Sequence, residues 1–238
     1  MDWGSIYEVG KSAVSSVFNI GKSFAKSELG ETIKGKVTDK ADKIFVEIDG
    51  QPVQVKKGKF KGYVIFTLTL EERATCPREC YHWDNCYGNN MAFAHRIEHG
   101  PALEAKLNEE IEELCSTYKG VIIRLHVLGD FYSVDYVNRW AWWLNDYDNL
   151  AVWGYTGRTR ESEIGQKIDI TRQRYGNRFS VRFSNNLDYI FSANSTERAT
   201  PKAGKSFVCP EQTGDVANCA NCALCWSADT RQVLFMTH

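Results

Sequence analysis

Eight cysteines carry most of the chemistry that this sequence offers, and seven of them fall into two groups. Cys76, Cys80 and Cys86 form the first group, with three and five residues between them. The second group consists of Cys209, Cys219, Cys222 and Cys225. Cysteines this close in sequence are poor disulfide partners within a group but good metal ligands. Both groups are therefore predicted to bind metal, whereas the isolated Cys115 is predicted to be a small buried residue.

The number of thiolates differs between the two groups. Three thiolates on one loop can hold three irons of a [4Fe-4S] cluster and leave the fourth iron open. Zinc bound by the same thiolates and His82, or a loop without metal, remain alternatives. The Cys-x2-Cys-x2-Cys run of the second group is typical of ferredoxin ligands, with Cys209 as the remote fourth. A complete site of that kind suits structure or electron transfer. One cluster that draws ligands from both groups also stays open.

Polar residues on two predicted strands define a candidate ligand site. They lie on the face opposite to the large apolar residues, since side chains alternate along a strand. They are Arg124 and His126 in the strand over residues 121–128, and Arg182 and Ser184 in the strand over residues 178–184. Such a face predicts a polar interior with room for a ligand. The alternative is that the two arginines pair with carboxylates of neighbouring strands.

Three further residues lie just beyond predicted strand ends. Asp130 follows the strand over 121–128, and Thr156 and Arg158 lie at the end of the next strand. In parallel α/β folds this end of the sheet carries the ligand sites. Together with Arg182 and Ser184 these residues predict a mouth that binds an anionic small molecule, such as a nucleotide or phosphate. The alternative role for Asp130 is a helix cap.

Alternating strand and helix patterns position these residues. Strands are predicted over 64–70, 121–128, 150–156, 178–184, 206–209 and 233–237, and helices over 101–117, 133–145, 161–175 and about 187–192. About six strand–helix units of this kind predict an α/β fold with a parallel sheet. The polar face on several strands favours a TIM-barrel-like arrangement, complete or partial.

The first 61 residues have a different pattern from the rest of the chain. Residues 1–40 show loose helical spacing, which predicts a helix that docks on a host protein or on another copy. Alternating residues on either side of Asp49-Gly50 predict a β-hairpin. The predicted domains are therefore residues 1–61, a helix plus hairpin, and residues 62–238, the barrel-like domain.

Composition limits the remaining function classes. Lys and Arg number 29 and Asp and Glu 30, so the net charge is −1, which excludes a general polyanion binder. Nucleic acid stays open as a partner through local arginines. The start of the chain does not have a signal-peptide pattern, and no stretch is apolar enough to span a membrane. We therefore expect a cytoplasmic protein with reduced thiols and no membrane association.

Several motifs together resemble a known phage family. In order they are TCPRECYHWDNCYGNNM, RLHVLGDFYS, WGYTGRTRE, RFSVRFSN and CPEQ with CANCALCW, over residues 63 to 226. This set is similar to the phage-encoded gene product 88-like proteins. More distantly, the cysteine triplet and Gly129-Asp130-Phe131 resemble radical S-adenosylmethionine enzymes, although the second cysteine gap here is five residues rather than two.

The resemblance implies a function. It implies a phage-encoded [4Fe-4S] protein, with one or two clusters, in the cytoplasm of the host cell. The triplet would hold a cluster at the mouth of a partial barrel, and Asp130 would lie near the amino group of bound S-adenosylmethionine. An enzyme that acts on a nucleotide-like substrate is the leading hypothesis. A zinc- or cluster-stabilised module that binds nucleic acid or a host protein, and an electron-transfer protein, are the alternatives.

Overall fold

A sheet of nine strands forms the centre of the described structure. The computed structural model describes residues 44–47, 53–226 and 231–236. The strands are β1 (Val46–Glu47), β2 (Val53–Gln54), β3 (Val64–Thr67), β4 (Val121–Leu125), β5 (Leu150–Thr156), β6 (Phe179–Ser184), β7 (Ser192–Ser195), β8 (Ser206–Val208) and β9 (Gln232–Phe235). From β3 onwards every pairing is parallel, in the order β3-β4-β5-β6-β7-β9-β8. The predicted α/β class is confirmed.

The first two strands lie along the outer edge of β3. Val46 and Glu47 pair antiparallel with Thr67 and Phe66, and β2 pairs antiparallel with the preceding residues of β3. The two short strands thus follow one another along the same edge and each pairs with β3, so these described residues do not form the predicted hairpin. The predicted turn at Asp49-Gly50 lies outside the described residues.

Helices connect the central parallel strands. They are α1 (Glu72–Thr75), α2 (Pro101–Thr117), α3 (Val134–Asp146), α4 (Glu163–Tyr175) and α5 (Cys219–Cys222). The order β3-α2-β4-α3-β5-α4-β6 reproduces the predicted alternation, and Ser133 and Ser162 cap α3 and α4 as hydrogen-bond acceptors. The helix expected near residues 187–192 is absent from this described segment, which leads into β7 instead.

One face of the sheet packs against α2, α3 and α4. Helix α2 contributes Leu103, Leu107 and Ile111, whose spacing places them on one side of the helix, and α3 contributes Trp140 and Trp143. All five are buried. They meet the apolar residues of β3 to β6 that alternation assigns to this face. This layer is the main hydrophobic core.

The opposite face carries a second, smaller core. Ile65, Ile122, Ala151 and Trp153 project from β3, β4 and β5 towards Trp226 and its neighbours in the closing cysteine segment. We call residues 219–226 the closing segment. The face that the sequence predicts to be a polar interior is therefore covered in part by the cysteine-rich end of the chain.

The chain divides into two compact units, Met1–Lys43 and Ile44–His238. All described residues belong to the second unit, so the helix predicted over residues 1–40 lies outside them. The predicted boundary between residues 61 and 62 falls within this second unit. Among the helices that the structure describes, none is both long and apolar enough to cross a membrane.

Candidate metal centres

The first cysteine group occupies the loop after β3. The single turn α1 ends at Cys76, whose backbone N–H donates to the Glu72 carbonyl at 3.0 Å. Cys76, Cys80 and Cys86 are all free, half-buried thiols. Burial is the largest of the effects that raise the pKa of the Cys76 thiol, and the nearby Asp130, Cys80 and Cys86 raise it further. The three thiols are thus electrostatic neighbours at the carboxyl edge of the sheet, as predicted from their place after a parallel strand.

An ion pair that the sequence does not reveal holds this loop. Arg96 donates from Nε and Nη2 to the two carboxylate oxygens of Glu72 at 2.8 and 3.1 Å. The same guanidinium donates to the carbonyls of Gly88 and Met91. Gly88 leaves room for this closure, because a Cβ there would lie 2.8 Å from Leu128 and 3.4 Å from the Cys86 sulfur. The 24-residue separation within the pair explains why sequence spacing gives no signal for it.

Asp130 lies beneath the loop and is 2% exposed. Its carboxylate accepts hydrogen bonds from the Thr156 hydroxyl and from the backbone N–H groups of Phe131 and Gly157, at 2.7 to 2.8 Å. Burial raises its pKa to about 6, against the opposing effect of these hydrogen bonds and of Arg158. Asp130 therefore joins the loops after β4 and β5, and it does not cap α3, whose cap is Ser133.

Arg158 connects the same two loops to the cysteine loop. Its Nε donates to the Phe131 carbonyl at 2.9 Å, and its Nη2 donates to the Thr75 carbonyl at 2.6 Å. Thr75 directly precedes Cys76, so the guanidinium fixes the start of the cysteine loop. The structure thus brings Asp130, Thr156 and Arg158 together beside the first thiol group, as the sequence predicts.

His126 departs from the predicted position. Its backbone φ is +55°, a conformation rare for residues other than glycine, and this interrupts the alternation of side chains after Leu125. The imidazole is buried against Phe131 and Tyr136, on the helix side of the sheet, with Nε2 3.3 Å from the Tyr136 hydroxyl. Burial lowers its pKa to about 3. His126 is therefore a neutral core residue and does not share a face with Arg124.

The second cysteine group lies in and around the closing segment. Cys209 follows β8, and α5 carries Cys219 and Cys222 after a cap by the Asn218 side chain. All four thiols, with Glu211 and Trp226, line one small cavity. Burial raises the pKa of Cys219 to about 11 and that of Cys225 to about 12. The donor set around this cavity is dominated by sulfur, which fits a thiolate-bound metal centre.

The closing segment contacts both ends of the strand order. At one end, Cys219, Cys222 and Cys225 line the same cavity as Cys209, which directly follows β8. At the other end, the backbone N–H of Lys56, just after β2, donates to the Ala220 carbonyl at 3.0 Å. A Cβ on Gly58 would lie 3.8 Å from that of Ala223. The four-cysteine site therefore lies where the two edges of the sheet approach the same segment.

Two polar residues of β6 anchor the closing segment. The Ser180 hydroxyl and Arg182 Nε donate to the Cys225 carbonyl at 3.1 and 3.3 Å, and Arg182 Nη1 donates to the Arg231 carbonyl at 2.9 Å. Arg182 is fully buried. The sequence predicts Arg182 as a ligand-binding residue, and the structure shows its guanidinium engaged with backbone carbonyls. Ser184 is half-buried at the end of β6, beyond these contacts.

Arg124 lies on β4, opposite Trp153 of β5. Its guanidinium is 5.4 Å from the centre of the Trp153 ring. Burial raises the pKa of Tyr87, next to Cys86, and of Cys219 in the closing segment. The positive charge of Arg124 lowers both pKa values in part. The charge of Arg124 thus acts on residues of both cysteine-containing segments.

Neither of the described cysteine groups forms a preassembled site for a single metal ion. Within residues 44–47, 53–226 and 231–236, no three His, Cys, Asp or Glu side chains are arranged to hold one. Cys115 is a buried core residue of α2, as predicted.

No protein-family model, curated protein or solved structure matches this chain.

Proposed function

We propose that this protein binds two [4Fe-4S] clusters, one at each cysteine group. The observation that carries the proposal is the cavity lined by Cys209, Cys219, Cys222 and Cys225, whose four thiols match the four irons of one cluster. These thiols come from the residue after β8, from α5 and from the segment after α5, and all four are free. The closing site would be coordinatively complete and suited to structure or electron transfer.

The first group supports a different role. Cys76, Cys80 and Cys86 supply three ligands, so one iron of a cluster there would stay open to a small molecule. The group lies at the carboxyl edge of parallel strands, which is the usual place for ligand sites in α/β proteins. S-adenosylmethionine is the ligand that the resemblance to radical enzymes suggests. Under this proposal the protein is an enzyme, and Asp130 and Arg158 brace the cysteine loop.

We propose that this sheet curves into a partial barrel. The seven parallel strands form one sheet, and the closing segment receives a hydrogen bond from Lys56, after β2, and shares a cavity with Cys209, after β8. The interior of that barrel would then contain Arg124, with Tyr87 and Tyr155 as neighbours. A cation at this place favours a substrate with a phosphate or carboxylate group, such as a nucleotide.

A second candidate function rests on the surface of the cysteine loop. Arg73 and Arg78 each lie 4.8 Å from the Trp83 ring, and Arg198 lies 4.7 Å from the ring of Tyr81. Cations stacked with exposed aromatic rings are typical of surfaces that bind single-stranded nucleic acid. A cluster- or zinc-stabilised binding module would use this surface.

Metal analysis of anaerobically purified protein tests the proposal. We expect about eight irons and a similar amount of sulfide per chain, since each cluster has four of each. Cys80→Ala and Cys222→Ala should each remove about half of the iron and the absorbance near 400 nm. Cys115→Ala is the matched control, because its thiol lies in the core of α2, and it should retain all of both. Stoichiometric zinc without sulfide would contradict the proposal.

The two candidate functions predict different ligands. Added S-adenosylmethionine should change the electron-resonance spectrum of the reduced first cluster if the open iron binds it. The binding module predicts instead that the protein binds single-stranded oligonucleotide and that Arg78→Ala weakens this binding. S-adenosylmethionine would then leave the spectrum unchanged.

A further inference from the structure

A buried indole lines the four-cysteine cavity. Trp226 directly follows Cys225, is 2% exposed and contributes to the cavity wall. Its Nε1 is buried and has no hydrogen-bond acceptor in the described structure. A buried N–H without an acceptor destabilises the fold, and buried tryptophans usually find a partner. The cavity is therefore lined by a residue whose donor still needs an acceptor.

A second donor reaches the same cysteine from the sheet. The Tyr155 hydroxyl, on β5, acts on the Cys225 thiol, whose pKa it lowers against the effect of burial. The tyrosine ring is held edge-on by Phe235 at 5.2 Å and by Trp153 at 6.0 Å. Trp153 in turn packs against Trp226 at 5.1 Å. Aromatic packing thus fixes both donor residues next to the closing cysteines.

We propose that the Trp226 N–H and the Tyr155 O–H donate hydrogen bonds to sulfur atoms of the closing cluster and raise its reduction potential. This inference rests on the proposed cluster at the four-cysteine site. One-electron reduction makes the sulfurs of a [4Fe-4S] cluster more negative, so donors to them stabilise the reduced form more than the oxidised form. Trp226 and Tyr155 are positioning residues here, since they act through the thiolates and sulfides.

The orphaned N–H of Trp226 has counterparts at Trp140 and Trp153, so the position of Trp226 in the cavity wall is what separates this role from simple packing. A tryptophan kept only for its volume could be replaced by phenylalanine with a loss of stability and no change of potential. Loss of a donor to sulfur changes the potential even where the fold is retained. The midpoint potential is therefore the diagnostic measurement.

The test compares Trp226→Phe and Tyr155→Phe in the full chain. Both are made in a background of Cys76→Ala, Cys80→Ala and Cys86→Ala, so that only the closing cluster contributes. The potential of the couple is measured by dye-mediated titration with dithionite, followed by absorbance and electron resonance. We expect each single variant to shift the potential downwards and the double variant to shift it further.

Trp140→Phe is the matched control. Trp140 is equally buried, but it packs in the helix layer against Trp143 and Tyr136. This variant should lower stability and leave the potential unchanged. Unchanged potentials in both Trp226→Phe and Tyr155→Phe, with the cluster loaded, overturn the inference and leave the cluster proposal intact.

Failure of the cluster proposal gives a different result. If the background protein contains no iron, or contains zinc at the closing site, both the proposed function and this inference are wrong. If Trp226→Phe alone fails to load a cluster, Tyr155→Phe carries the test, because it removes one hydroxyl and retains the ring. If the background does not load but the unaltered chain does, the same series is measured there, using the signal that Cys222→Ala removes.

Discussion

The two cysteine groups sit on the same sheet but in different surroundings. The first lies on a half-buried loop at the carboxyl edge, held by side chains such as Arg96 and Arg158 that donate to backbone carbonyls. The second lies against the face opposite to the helices and is packed among tryptophans. Under the proposed cluster binding, three thiols near solvent would suit exchange of a small molecule. Four thiols between the sheet edges would suit a permanent connection. The comparison teaches that two groups of the same residue type differ in burial and in the elements that they connect.

The largest expected effect separates the two groups by stability. If the proposed closing cluster is bound, Cys209→Ala should lower the thermal midpoint of the loaded protein by about 10 °C or more, because metal binding at a site that joins distant elements contributes directly to folding. Cys76→Ala should lower it by only a few degrees, about the effect of 1 kcal/mol. Calorimetry of both variants under argon measures this. Equal losses in the two variants would remove the distinction between a connecting and an exchangeable site.

A smaller effect on stability is expected from Arg182, which anchors the closing segment. Arg182→Met should cost about 2–4 kcal/mol in the free energy of unfolding, since the carbonyls of Cys225 and Arg231 lose buried donors. Ser184→Ala, on the same strand but away from the segment, should cost less than about 0.5 kcal/mol. Urea denaturation of both variants provides the comparison. A loss of anion binding with no loss of stability in Arg182→Met would instead restore its predicted ligand role.

The smallest expected effect is a pH dependence of stability that comes from Asp130, beneath the first cysteine group. The folded-state pKa of Asp130, about 6, is above the ordinary value of 3.8, because burial disfavours the charged form. The folded protein therefore binds this proton more tightly than the unfolded chain does. Stability from this residue is present below pH 3.8 and is lost as the pH rises through 6, by about 1–3 kcal/mol.

Asp130→Asn should flatten this change. The comparison is made with the first group emptied by Cys76→Ala, Cys80→Ala and Cys86→Ala, and the thermal midpoint is followed from pH 4 to pH 7. If the thermal midpoints of the parent and of Asp130→Asn change with pH in the same way over this range, protonation of Asp130 is not linked to folding.

Local patterns predict a large part of this molecule. The helix spacing of Leu103, Leu107 and Ile111 and the cap at Ser133 are short-range signals, and the structure has the corresponding helices. The position of each cysteine group after a strand also follows from the order of elements along the chain. Because these features depend on neighbours within a few residues, sequence spacing is enough to find them.

Other features depend on distant partners or on single backbone angles. The Glu72–Arg96 pair and the contacts from Arg182 to the closing segment join residues far apart in sequence. The positive φ of His126 turns one side chain to the helix side, which strict alternation cannot show. Trp226 carried one usable signal, its place directly after Cys225, but the burial of its N–H is visible only in the fold.

The strand order has a consequence for the synthesis of the chain. β8 precedes β9 in sequence but pairs with the sheet only through β9, which lies between it and β7. During translation β8 therefore has no neighbour until residues 232–235 have left the ribosome. Cys209 shares this dependence, so the four thiols meet only after β9 has emerged. If the proposed cluster is bound, iron and sulfide would be delivered to a complete site only after that point, and a nascent chain stalled before β9 would expose these thiols without a sheet edge to hold them.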